Sequence, residues 1–245
     1  MPDVHTTLEL EIRYGEFRPI QLEEVFAKNF GAQIHPRRIL IRGDPGIGKS
    51  TLCRKLAYDW AVGATYMQQR DFRVVFLIEV RQLQGSIKDA IFEQLLPSDL
   101  PEQSKKDLWL YVQQNQRRVA IILDGIDELD SKIETDIMGL LHCRILKYAP
   151  VLVTSRPDPH GRKSPNAYDR FIVNKGYTLE NAISFVHKYF KPLEQETDYI
   201  QLVEGIQMSP YLRDLATNPL NTFSYALFGK TTKLCQRQGV NCMIS

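Results

Sequence analysis

The sequence predicts an α/β fold, a parallel sheet flanked by helices and followed by a smaller, purely helical part. Three observations carry this expectation. Short apolar runs alternate with helical patterns from residue 38 onward. A loop rich in glycine joins the first run to the first helix. After Thr178 the apolar residues recur at helical spacing only.

Taken in order, "RILIR" (38–42) is a strand, and residues 50–62 form a helix with Leu52, Leu56, Ala57, Trp60 and Ala61 on one stripe. "RVVFLIEV" (73–80) is a second strand. Helices over 87–96 and 104–114 are separated by Pro97 and Pro101. "VAIILD" (119–124) is apolar until its last residue, as befits a strand buried on both faces. Ile133, Ile137, Leu140, Leu141 and Ile145 predict a helix over 133–148, which Pro150 ends before the strand "VLVTS" (151–155). Residues 157–169 read as a surface loop, 171–173 as a short fifth strand, and Thr178 as the N-cap of the next helix, with two more helices following to Asn218.

Composition excludes several classes. The 31 Lys and Arg balance 29 Asp and Glu to a net charge of +2, spread without the basic stripe of a nucleic-acid binder. No apolar run approaches the roughly 20 residues of a membrane-spanning helix, and the acidic first 20 residues lack the pattern of a signal peptide. Four cysteines without a CxxC pair point to reduced thiols and a cytoplasmic address. The five histidines show no metal-ligand spacing.

The chemistry concentrates at three strand ends. "GDPGIGKST" fits G-x-x-x-x-G-K-[ST] between a strand and a helix, where backbone N–H groups and the positive helix end cradle phosphate. Gly43, Asp44, Pro45, Gly46, Ile47, Gly48, Lys49, Ser50 and Thr51 are the candidate nucleotide-binding set. Within it, Lys49 bridges the outer phosphates, the Ser50 hydroxyl ligates Mg²⁺ and Thr51 supports the inner phosphate. Asp124 closes its apolar strand at the carboxyl rim and is expected to hold Mg²⁺ through water. After the turn at Gly125, Asp127 and Glu128 are candidates to polarise an attacking water, with no ground for choosing between them. Asp130 reads instead as a cap for the next helix. Arg156 in "TSRP" suits the outer phosphate, its planar fork matching that group better than a lysine. "NKGY" (174–177) has Tyr177 where a guanine-reading motif needs an acid, which favours adenine.

These motifs, with "GYTLENAISFVHKYF" and "LATNPL", resemble the NACHT domain of the NOD-like receptors, a STAND branch of the P-loop NTPases. The likeness spans residues 34–220, and "LCRKLAYDWA" is similar to the large invertebrate sets of such receptors. The resemblance implies an ATP/ADP switch with Mg²⁺, slow hydrolysis, oligomerisation with related proteins, a part in innate immunity, and packing of Pro219 against the adenine ring. It further implies a flanking segment at 1–35, a nucleotide-binding core at 36–175, a partial helical domain at 176–220 and an atypical tail at 221–245. The sequence reads as a truncated member. The alternative is an interaction module that keeps a structural nucleotide and co-assembles with longer relatives without turnover. A nucleotide kinase or transporter ATPase fits worse, since neither an LSGGQ-like stretch nor an arginine-bearing lid stands out.

Overall fold

The computed structural model describes residues 7–14, 16–28, 33–129, 134–157, 168–191 and 196–227. The chain divides into two compact units, one spanning residues 10–44 and 49–173, the other residues 1–9, 45–48 and 174–245.

The first unit is built on a seven-stranded sheet of order β2-β1-β7-β3-β6-β5-β4. The strands are β1 (Glu9–Tyr14), β2 (Glu16–Ile20), β3 (Arg38–Arg42), β4 (Val74–Glu79), β5 (Val119–Asp124), β6 (Val151–Ser155) and β7 (Arg170–Gly176). The run from β7 to β4 is parallel throughout, as the α/β reading of a P-loop NTPase predicts. Continuous apolar strands belong in such a sheet because helices cover both faces. Accordingly Val119, Ile121, Leu123, Val151 and Val153 are buried in one core with Ile87, Ile91, Val112, Ile137 and Leu140.

β1 and β2 form an antiparallel hairpin at one edge. These residues, expected only as a flank, carry a period-two pattern in "ELEIR": Leu10 and Ile12 are buried while Arg13 is exposed. The acidic residues between them obscured it.

The helices of this unit are α1 (Lys49–Ala61), α2 (Thr65–Gln68), α3 (Ile87–Leu95), α4 (Glu102–Gln114) and α5 (Glu134–Leu141). Two differ from expectation. The buried face of α1 consists of Leu52, Cys53, Leu56 and Asp59, and Ala61 is exposed. Asp59 goes inside because it accepts from the Tyr66 hydroxyl at 2.6 Å and pairs with Lys55. The helix expected over 133–148 ends at Leu141, and Cys143 and Leu146 adopt positive φ of 58° and 42°. Buried Arg38 donates to the carbonyls of Leu140 at 2.7 Å, Leu141 at 3.3 Å and Ala149 at 2.6 Å, capping the helix from a distant strand. Asp130 lies outside the described residues.

In the second unit α6 (Leu179–Phe190), α7 (Glu196–Met208) and α8 (Pro210–Ala216) are followed by further helix over residues 219–227. Thr178 caps α6, its hydroxyl accepting from the Asn181 N–H at 3.1 Å. Ala182, Phe185, Val186, Phe190, Ile206 and Ala216 form a separate core. Residues 228–245, with Gly229 and Gly239, lie outside the described residues, as does most of the loop after Pro157. No helix among the described residues is long and apolar enough to cross a membrane.

Candidate functional site

At the carboxyl rim of the sheet, Glu79 stands in register with Asp124 and Arg42 with Ser155. Asp124 is held firmly. Its Oδ1 accepts from the Thr154 hydroxyl at 2.7 Å, and the same hydroxyl accepts from the Gly125 N–H at 2.8 Å. The buried Cys53 thiol approaches that carboxylate oxygen at 3.9 Å. Burial, and then the charge of Asp124, pushes the Cys53 thiol well up. Gly125 sits at φ 84° and starts the short 3₁₀ turn Ile126–Glu128, a conformation that favours glycine.

Arg156 gathers both acids of that turn. Its Nε lies 3.3 Å from Asp127 Oδ2 and its Nη2 3.1 Å from Glu128 Oε1, and its backbone N–H donates to Asp127 Oδ1 at 3.0 Å. Lys49, the first residue of α1, folds back so that its ammonium donates to the carbonyls of Gly43 at 2.6 Å and Asp44 at 2.9 Å. Burial holds its pKa below the ordinary lysine value; Asp127 and Asp124 oppose that shift and Arg156 reinforces it. Lys49, Asp124, Asp127 and Arg156 therefore lie within electrostatic reach of one another. Ser50 and Thr51 occupy the next two positions of α1. Gly43 is tied to the rim by its N–H, which donates to the Ser155 carbonyl at 3.2 Å. Glu79, nearby, is ringed by Arg54, Arg81 and Gln82 at 3.2, 2.8 and 2.6 Å.

The glycine loop at 45–48 groups with the helical unit. Gly46 and Gly48 take φ of 75° and 94°. A Cβ on Gly46 would lie 2.9 Å from Leu220 Cβ, and one on Gly48 3.1 Å from Leu8 Cδ1, so a side chain at either position would be crowded as well as strained by the positive φ. Among the described residues, the N–H groups of Gly46, Ile47 and Gly48 have no acceptor. The loop's carbonyls are occupied: Asn218 Nδ2 donates to Pro45 O at 2.9 Å, Leu220 N–H to Gly46 O at 3.3 Å, and Asn174 Nδ2 to Ile47 O at 3.2 Å. Pro219 is half-buried between Asn218 and Leu220.

Sequence reasoning missed Thr154, Cys53, Asn174 and Asn218. Thr154 had a legible signal, a polar residue closing an apolar run beside the strand that ends in Asp124. Asn174 and Asn218 had none, because their partners lie 127 and 173 positions away. Among the described residues, no group of three or more His, Cys, Asp or Glu side chains is arranged to cage a metal. A cavity of about 400 Å³ lined by Gln113–Arg118 and Tyr148 contains none of the candidate residues.

Comparison with known proteins gives a consistent match. The family described as NACHT domain matches residues 37–191. NACHT, LRR and PYD domains-containing protein 1a of Mus musculus is 29% identical over 71% of this chain and 16% of its own length. Nucleotide-binding oligomerization domain-containing protein 2 of Bos taurus is 27% identical over 77% of this chain and 21% of its own. The chain thus spans about a fifth or less of these relatives. The crystal structure of Cdc6p from Pyrobaculum aerophilum superposes with a TM-score of 0.52 at 18% identity, covering 83% of this chain and 56% of that one, a likeness of fold.

Proposed function

The chain belongs to the NACHT family, and from that premise we propose that it is an ATP/ADP-dependent signalling switch of the NOD-like receptor type. It would work with Mg²⁺ in the cytoplasm, serve innate immunity, and hydrolyse ATP slowly. The observation that carries the reading is the set of N–H groups at Gly46, Ile47 and Gly48. Three successive backbone donors without acceptors, in a loop two of whose residues have positive φ, make an anion-binding nest. The donors that the same ligand calls for are present in the chain: Lys49 for the outer phosphates, Thr51 for the inner one, and Ser50 with Asp124 for the metal. Gly43, Asp44 and Pro45 lead the chain into the nest, and Pro219 would lie on adenine. Mg²⁺, when bound, would supply charge neutralisation of the phosphates.

Asp127 and Glu128 are the groups available to hold a water, and Arg156 the one to meet a terminal phosphate. Their present ion pairs favour a second reading, in which the nucleotide is structural and the output is co-assembly with related NACHT proteins. An arginine bound to both acids restrains their approach to water.

Titration with fluorescent ATP, with and without Mg²⁺, tests the nucleotide reading: Lys49→Ala should abolish binding and Asp124→Asn should remove the Mg²⁺ dependence. Binding indifferent to both substitutions would refute it. Single-turnover phosphate release separates the two readings. Release lost in Asp127→Asn or Glu128→Gln supports a slow ATPase, and retained ADP without release supports the structural nucleotide.

A further inference from the structure

The three unspent N–H groups and the three occupied carbonyls of the glycine loop belong to the same peptide units. The carbonyl of Pro45 shares its peptide with the N–H of Gly46, Gly46 O with Ile47 N–H, and Ile47 O with Gly48 N–H. A trans peptide is planar and points its C=O and N–H in opposite directions, and no described peptide bond is cis. Whatever fixes the carbonyl therefore aims the N–H.

All three carbonyls are fixed by groups of residues 174–220, in the same unit as the loop. Asn218 Nδ2 takes Pro45 O, the Leu220 N–H takes Gly46 O, and Asn174 Nδ2 takes Ile47 O. Each asparagine is itself oriented, because Asn218 Oδ1 accepts from the Leu220 N–H at 3.0 Å and Asn174 Oδ1 from the Gly176 N–H at 3.0 Å. Asn174 is 2% exposed, so water does not compete for its amide. The backbone joining these groups is close-packed: a Cβ on Gly176 would fall 2.2 Å from the Thr217 carbonyl, to which the Tyr177 N–H donates at 2.7 Å.

We propose that Asn218 and Asn174 are positioning residues that preorganise the phosphate nest from outside, so that a polyphosphate is bound tightly only while residues 174–177 and 217–220 hold the loop's carbonyls. This rests on the nucleotide reading above and deepens it: the chain from Asn174 onward sets affinity for phosphate without itself touching phosphate. Preorganised donors cost nothing to orient when the anion arrives, and loosened ones must be reordered.

The test uses neutral, near-isosteric substitutions, Asn218→Leu and Asn174→Leu, in the 245-residue chain. Displacement of fluorescent ADP by ADP, AMP and adenosine is measured, with thermal unfolding in parallel. Asn218→Leu is expected to lower the preference for ADP over adenosine at least tenfold, as is Asn174→Leu if it folds; Asn218, half-buried, is the safer site. Equal weakening of ADP and adenosine, or an unchanged ratio, overturns the proposal while leaving nucleotide binding intact. Failure of the unsubstituted chain to bind any nucleotide overturns the nucleotide reading and this proposal together.

Discussion

Thr154 shows how a single side chain organises the rim. Its hydroxyl donates to Asp124 and accepts from the Gly125 N–H, joining the acid to the turn that carries Asp127 and Glu128. Thr154→Val keeps the shape and removes both bonds in a residue that is 0% exposed. Leaving such groups unpaired costs about 1–3 kcal/mol, measurable by denaturant unfolding. The same variant should lose the Mg²⁺-dependent part of nucleotide affinity, and Thr154→Ser should restore it. Glu79 offers a pH signature. Hydrogen bonds from Arg81, then Arg54, hold its carboxyl below the ordinary value of 4.5. With the folded-state pKa below the unfolded one, its contribution is complete above 4.5 and is lost as the pH falls through the depressed value. Glu79→Gln should therefore be less stable than the parent near neutrality, with the difference vanishing on acidification. A difference constant with pH would contradict the assignment.

Among the elements, α5 shows where local pattern yields to distant chemistry. Ile145 continues the helical spacing of Ile137 and Leu141, yet the chain turns at Cys143, and the freed carbonyls find the guanidinium of Arg38. A fully buried arginine with backbone carbonyls for partners exists only as part of that arrangement; desolvation depresses its pKa. Arg38→Met should destabilise the sheet unit by about 3 kcal/mol or more, as removal of a buried, multiply bonded charge does, with hydrogen exchange rising first over residues 140–149. The turn after β5 is equally specified. Gly125→Ala must carry a Cβ at φ 84° and should cost about 1–3 kcal/mol.

For the molecule as a whole, binding is the most direct reporter, because any ligand taken by the folded chain alone raises its stability by mass action. MgADP at a hundred times its dissociation constant should add about 2.7 kcal/mol, visible as a raised Tm that Lys49→Ala abolishes. The parallel sheet, its strands from β3 to β6 and the phosphate-loop motif were legible in the sequence, because apolar runs, helical periods and glycine spacing are local patterns that the backbone obeys wherever it lies. The same local logic placed Asp124 at the end of β5 and Thr178 at the head of α6. It did not reach the hairpin of β1 and β2, whose alternation is short and mixed with charge, or the early end of α5. Nor did it reach the bonds of Asn174 and Asn218, or the pairing of Arg156 with both acids. Those depend on groups from remote positions of the chain meeting in space, which no local pattern encodes; where they meet away from water, as at Arg38 and Asn174, an unpaired polar atom costs enough to overrule a local preference.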